Sequence, residues 1–157
     1  MDPTKQPGIR LQTVFLKEAT FRHRSEPLAG MPVEMQSDSG SAQLEISVLA
    51  GSKDDMAISV LATDDPDVTN SRYEFRVEMV AIFETEKGKE NMPIQDFALR
   101  NGAALLYPFV RETVANLTSR GRFGPLWLNP FNISAVVQAG EEFAKEHKQA
   151  QGRREAN

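Results

Sequence analysis

The residues that could do chemistry in this chain of 157 are few and badly placed for it. There are two histidines, His23 and His147, and neither has a Cys or Asp neighbour at metal-ligand spacing. Both read as solvated surface histidines. Carboxylates pair at Asp54–Asp55 and Asp64–Asp65, in turns, and at Glu141–Glu142, on a helix surface. Nothing beside them would lift a carboxyl pKa toward general acid–base work. Ser119 has no histidine near it in sequence to act as its base. The glycine-containing run GRFG lacks the Lys and Ser/Thr of a phosphate cradle. The absence of cysteine removes thiolate nucleophiles, disulfides and zinc–thiolate sites together, and suits a reducing compartment. No catalytic group, cofactor or metal is expected, so the function to look for is binding.

The stretch 105–131, LLYPFVRETVANLTSRGRFGPLWLNPF, offers it. It starts as a helix, stops near Gly121 and opens into a loop bearing Phe123, Leu126, Trp127, Leu128 and Phe131. So apolar a loop either closes the core or grips something, because large exposed apolar patches are uncommon on monomers. Periodicity leaves both readings open. Arg111 and Glu112 sit beside aromatics, off the apolar stripe. They are either ordinary helix-surface charges or partners across an oligomer interface. The polar half of this helix, with Tyr107, Arg111 and Asn116, suits a symmetric interface better than open water.

The elements that must position this stretch are legible from period. Residues 1–8 hold Pro3 and Pro7 and read as a flexible arm. Between Ile9 and Phe21 the apolar residues fall mainly on odd positions, namely Ile9, Leu11, Phe15, Ala19 and Phe21, as in a half-buried strand. Val14 and Leu16 spoil the alternation. Residues 23–42 lose the period and form a long crossing loop carrying Leu28, Met31, Val33 and Met35. Leu44, Ile46 and Val48 alternate in a second strand, Met56, Ile58 and Val60 in a third, with GSKDD as the turn between them. Tyr73, Phe75, Val77, Met79, Ala81 and Phe83 make the inner face of a fourth. Short connectors argue for antiparallel pairing. The cover is a short helical segment over 92–99, then a firmer helix over 103–119 with Leu106, Val110, Thr113, Val114 and Leu117 inward. Pro108 predicts a kink or late start, because it cannot donate to the carbonyl of Ala104. Gly121 fits the left-handed position past a helix end. Asn132 can cap a second helix with Ile133, Val136, Val137, Gly140, Phe143 and Ala144 inward. Strands succeeded by helices make an α+β domain over 9–144, a four-stranded antiparallel sheet with helices on one face. The tail 145–157 has no core residues and reads as disordered.

The net charge of −4 gives no basic field for phosphate, so no nucleic-acid partner is expected. The N-terminus has no apolar signal-peptide core, and no apolar run reaches membrane-spanning length. These features together read as a cytoplasmic protein with no membrane insertion.

At Leu106-Tyr107-Pro108-Phe109-Val110-Arg111-Glu112, Ser119-Arg120-Gly121-x-Phe123 and Leu126-x-Leu128-x-Pro130 the chain resembles the SecB family of bacterial export chaperones. A Lys-acid-x-x-Phe step at Lys17 to Phe21 extends the resemblance into the strands. It implies a dimer of dimers that holds unfolded or precursor polypeptides in hydrophobic grooves without ATP. By the same resemblance, the client-binding residues are Leu28, Met31, Val33, Met35, Leu44, Ile46, Val48, Leu126, Trp127, Leu128, Phe131, Val137 and Phe143. Flexible methionines and broad aromatics suit an unselective groove. Tyr107, Arg111, Glu112 and Asn116 are the candidate oligomer-interface residues of a homotetramer. The family docks the SecA motor on an acidic patch of the outer sheet face. Here Glu18 matches an acid, Arg22 and Arg76 stand where acids are expected, and Glu74 replaces a leucine, so SecA docking is expected to be weakened. The alternative is a dedicated SecB-like adaptor or antitoxin-type chaperone with one partner.

Overall fold

A computed structural model describes residue 2, residues 4–23, 40–65 and 73–132, and Ala135 and Gln138 beyond them. Leu28, Met31, Val33 and Met35 of the crossing loop, Val137 and Phe143 of the last helix, and the tail lie outside the described residues. Four strands come first: β1 (Ile9–His23), β2 (Ala42–Gly51), β3 (Asp55–Asp64) and β4 (Tyr73–Thr85). They form one antiparallel sheet in the order β1-β4-β3-β2. The chain therefore leaves β1 at one edge and enters β2 at the other, which is why the intervening connection has to be long. A single turn, α1 (Ile94–Phe97), runs through a π-helical turn (Ala98–Gly102) into the long helix α2 (Ala103–Thr118). The helix lies over β3 and β4 and buries Ala103, Leu106, Tyr107, Val110, Val114, Ala115 and Thr118. The expected antiparallel sheet with a long helix on one face is thus present. Among the described residues no helix is long and apolar enough to cross a membrane.

The inner faces of β2, β3 and β4 obey their sequence alternation. Leu44 pairs with Ala62, Ile46 with Val60 and Val48 with Ile58. Val60 in turn opposes Met79, and Ile58 opposes Ala81. Directly opposed residues share a face, so these form one apolar surface. β1 departs from its expected parity. Its register against β4 shifts between Leu11 and Thr13, and again between Leu16 and Glu18. Each bulge turns the subsequent side chains over. Val14 and Leu16 therefore share the inner side with Ala81 and Met79, where Val14 packs on the core and Leu16 stays 48% exposed, while Phe15 turns outward opposite Val80 and is 43% exposed. The two residues that spoiled the alternation lie on the inner side, and of the three only Val14 packs on the core.

Two more expectations are corrected. The late start expected at Pro108 does not occur, since the helix begins five residues before it. Pro108 and Ala104 are both exposed, so water can satisfy the carbonyl that proline releases. Gly121 does not carry a positive φ; Gly124 does, at 79°. The helix ends instead by tightening, with Arg120 and Gly121 amides bonded to the carbonyls of Leu117 and Thr118 at 3.3 and 2.9 Å. Gly121 is small because of Tyr73. A Cβ there would stand 2.5 Å from the ring carbon Cε1. Gly102 is a second close approach, since a Cβ would meet Ile58 Cδ1 at 2.2 Å where the π turn crosses the sheet.

Candidate functional site

The apolar loop after α2 has no regular backbone pairing, so its polar groups need partners from elsewhere. Side chains of the scaffold supply them in sequence. The Tyr73 hydroxyl accepts from the Phe123 amide at 3.0 Å and donates to the Gly124 carbonyl at 2.8 Å. The buried Thr118 hydroxyl accepts from the Leu126 amide at 2.8 Å while donating back to Val114 at 2.7 Å. Arg111 Nε donates to the Leu128 carbonyl at 2.7 Å, and the Tyr107 hydroxyl donates to the Asn129 carbonyl. The Asn129 amide then donates to the Gly40 carbonyl at 2.9 Å, bringing the loop against the approach to β2. Asn132 closes the loop as a helix cap, accepting from the Ala135 amide at 3.1 Å, and Ala135 and Gln138 are helical.

His23 is part of this rack and not the solvated residue expected from sequence. Its Nε2 accepts from the Arg122 amide at 3.2 Å, and its ring packs among Phe21, Tyr73 and Phe123. The cluster ties the end of β1 to the start of the loop. Burial pushes the Tyr107 phenol above the usual tyrosine range, more than the nearby Arg111 pulls it back.

A backbone held this way sorts its side chains. Leu126 and Leu128 point down into the core and are buried. Trp127 between them points out and is 58% exposed, with the Arg111 guanidinium 5.9 Å from its ring centre. Phe131 is half-buried, edge-on to Tyr107 at 5.3 Å. Leu126 and Leu128 therefore support the loop from beneath, and Trp127 and Phe131 are the members that meet solvent. At the other side, β2 extends beyond the cover of α2. Leu44 and Ile46 are half-buried there and Val48 is 48% exposed, all on the inner face. Among the described elements none covers this apolar strip, which lies beside a loop that carries an exposed indole.

The candidate interface residues divide. Tyr107 and Arg111 direct their polar groups into the same chain, holding the loop. Glu112 and Asn116 bond to each other on the exposed side of α2, beside Phe109, which is also exposed. On the outer sheet face the four candidate docking residues form a charge-balanced ladder. Arg22 pairs with Glu74, and Arg76 with Glu18 at 2.9 Å. Arg10 pairs with Glu84, and Lys17 with Glu78 at 3.5 Å. Glu18 beside Arg76 raises the affinity of its guanidinium for the proton it already holds. Sequence reasoning missed Tyr73, Thr118 and His23 as loop partners. The available signal was chemical: a tyrosine on a buried strand face and a threonine on a buried helix stripe each need a partner for the hydroxyl.

Residues 2–143 match the family model of the preprotein translocase subunit SecB. A protein-export protein SecB from Bartonella bacilliformis is 28% identical over 145 residues, 85% of this chain and 84% of its own length. One from Neisseria gonorrhoeae is 27% identical over 150 residues, 90% of this chain and 96% of its own. Among solved structures, the SecB-like chaperone Rv1957 of Mycobacterium tuberculosis, in complex with a ChAD peptide from the Rv1956 HigA1 antitoxin, superposes with a TM-score of 0.53 at 18% identity. That match covers 79% of this chain and 91% of the other. Such a likeness carries the fold, while the family match carries the membership: the chain belongs to the SecB family of non-enzymatic export chaperones.

Proposed function

We propose that this protein is an ATP-independent holdase that binds unfolded or precursor polypeptides and keeps them competent for export from the cytoplasm. The observation that carries the reading is the exposed Trp127, beside half-buried Phe131, next to the inner strip of β2 that α2 leaves open. Family membership supplies the class of ligand. Leu44, Ile46, Val48, Trp127 and Phe131 form the described part of the gripping surface, with the crossing loop and the last helix, through Leu28, Met31, Val33, Met35, Val137 and Phe143, completing it. Leu126 and Leu128 brace it from below. A holdase needs only a preference for the unfolded chain, so catalytic groups have no part in its action. The working unit is a homotetramer, with Phe109, Glu112 and Asn116 on the exposed side of α2 at an interface between copies.

The assay is suppression of aggregation. Substoichiometric tetramer should keep several unrelated denatured proteins in solution as they are diluted from denaturant. Failure against every client would defeat the reading. One observation favours a narrower version, a dedicated adaptor with one partner: the outer sheet face is a ladder of compensated charges. A docking partner that relies on an acidic face finds its field cancelled here. The adaptor version expects protection of one client only and weak or no SecA binding; a tight SecA complex at physiological salt would remove it.

A further inference from the structure

Arg111 reaches both the backbone and the exposed ring of the apolar loop. Its Nε donates to the Leu128 carbonyl at 2.7 Å, and its guanidinium carbon lies 5.9 Å from the centre of the Trp127 ring. One residue thus grips the chain just after Trp127 and stands against the indole itself. We propose that Arg111 is a positioning residue for polypeptide binding, holding Trp127 outward as a preorganised aromatic anchor. The proposal rests on the holdase reading and adds which residue sets the geometry of its grip.

The physical case has three parts. An indole that is 58% exposed on an irregular loop would ordinarily sample several rotamers, and ordering it would weaken binding. Guanidinium is planar and weakly hydrated, so it can donate an in-plane hydrogen bond and lie against an aromatic ring at once. With the guanidinium against it, the indole keeps apolar surface open to the aliphatic or aromatic side chains of an extended client. Aromatic anchors of this kind dominate many interfaces. Tyr107 supports the same arrangement from one turn earlier, through the next carbonyl of the loop. The polar contact of Arg111 and its ring contact both lie within its own loop, through Nε and the guanidinium carbon.

Trp127 is the single tryptophan, so its emission reports on the site directly. The full-length protein, Arg111→Met and Arg111→Lys are compared by tryptophan anisotropy, acrylamide quenching, sedimentation velocity and affinity for a reduced, permanently unfolded model polypeptide. Arg111→Met should lower anisotropy, increase quenching and weaken client affinity about tenfold, the scale of one lost charge-assisted hydrogen bond, at an unchanged sedimentation coefficient. Arg111→Lys keeps a donor without the planar ring contact and should fall between; it carries the comparison if the Met variant does not fold. In a Trp127→Ala background, Arg111→Met should have no further effect on affinity. Unchanged quenching in Arg111→Met, an affinity loss that adds to that of Trp127→Ala, or effects that track a smaller assembly would each overturn the proposal. If the unmodified protein binds no unfolded polypeptide, the holdase reading fails, and the fluorescence comparison still decides whether Arg111 positions the indole.

Discussion

Two neighbouring glycines invite opposite substitutions, and the contrast tests how the loop is held. Gly121 has an ordinary φ, but a Cβ would lie 2.5 Å from Tyr73 Cε1 and 2.7 Å from its hydroxyl. Tyr73 is fully buried, and its hydroxyl serves both Phe123 and Gly124, so the ring cannot yield without releasing the loop. Overpacking costs about 1–3 kcal/mol, and each weakened hydrogen bond about 1 kcal/mol. The stiffer unfolded chain returns about 0.4–1 kcal/mol. Gly121→Ala should therefore destabilise by about 2 kcal/mol, and Gly121→Asn by more, because asparagine is larger. At Gly124 the order reverses. It has φ 79° and nothing within 4 Å of a Cβ, so alanine should cost about 1 kcal/mol through backbone conformation and asparagine less. Urea unfolding at matched protein concentration gives the four values, with Gly121→Ala moving the midpoint about 1 M lower at unchanged slope. If Gly121→Asn were as stable as the parent protein, a left-handed helix stop would be the right account of Gly121 and the steric one would be wrong.

The same geometry sets three further outcomes. Trp127→Ala should leave unfolding stability within about 0.5 kcal/mol, since the ring is exposed, while weakening capture of unfolded clients; a large stability loss with normal capture would place the ring in the core instead. The Tyr107 phenol is raised in the folded state, so its stabilising contribution is present below the ordinary tyrosine pKa of about 10 and is lost as pH climbs from there through the folded value. Tyr107→Phe should make alkaline unfolding less steep, and an identical pH profile would refute that linkage. Replacing Arg22 and Arg76 together with glutamate should cost about 1–3 kcal/mol, from two exposed ion pairs lost and like charges set opposite each other, and create an acidic outer face. Binding to SecA in ultracentrifugation should then strengthen, and no change would show that this face does not govern docking.

The strip formed by Leu44, Ile46 and Val48, the inner face from Tyr73 to Phe83 and the helix from Ala103 to Thr118 were readable in the chain because side-chain period is a local property. The motifs around Arg111 and Leu126 likewise disclosed the family. The orientation of Phe15 was not readable. It depends on two bulges in β1, and those exist only in the pairing of β1 with β4, more than fifty residues away. Arg111 was similarly ambiguous: a charge on a helix surface has no direction until the loop that folds back over it is in place. The greasy loop itself was conspicuous from its composition, and sequence could not say which of its residues face out. Tertiary structure decided that Trp127 faces out while Leu126 and Leu128 face in, because Tyr73 from distant β4 and Thr118, Arg111 and Tyr107 from the helix just before the loop fix its backbone. The sequence by itself determined what kind of surface this protein could make, and long-range hydrogen bonds to an irregular backbone determined which side chains that surface displays.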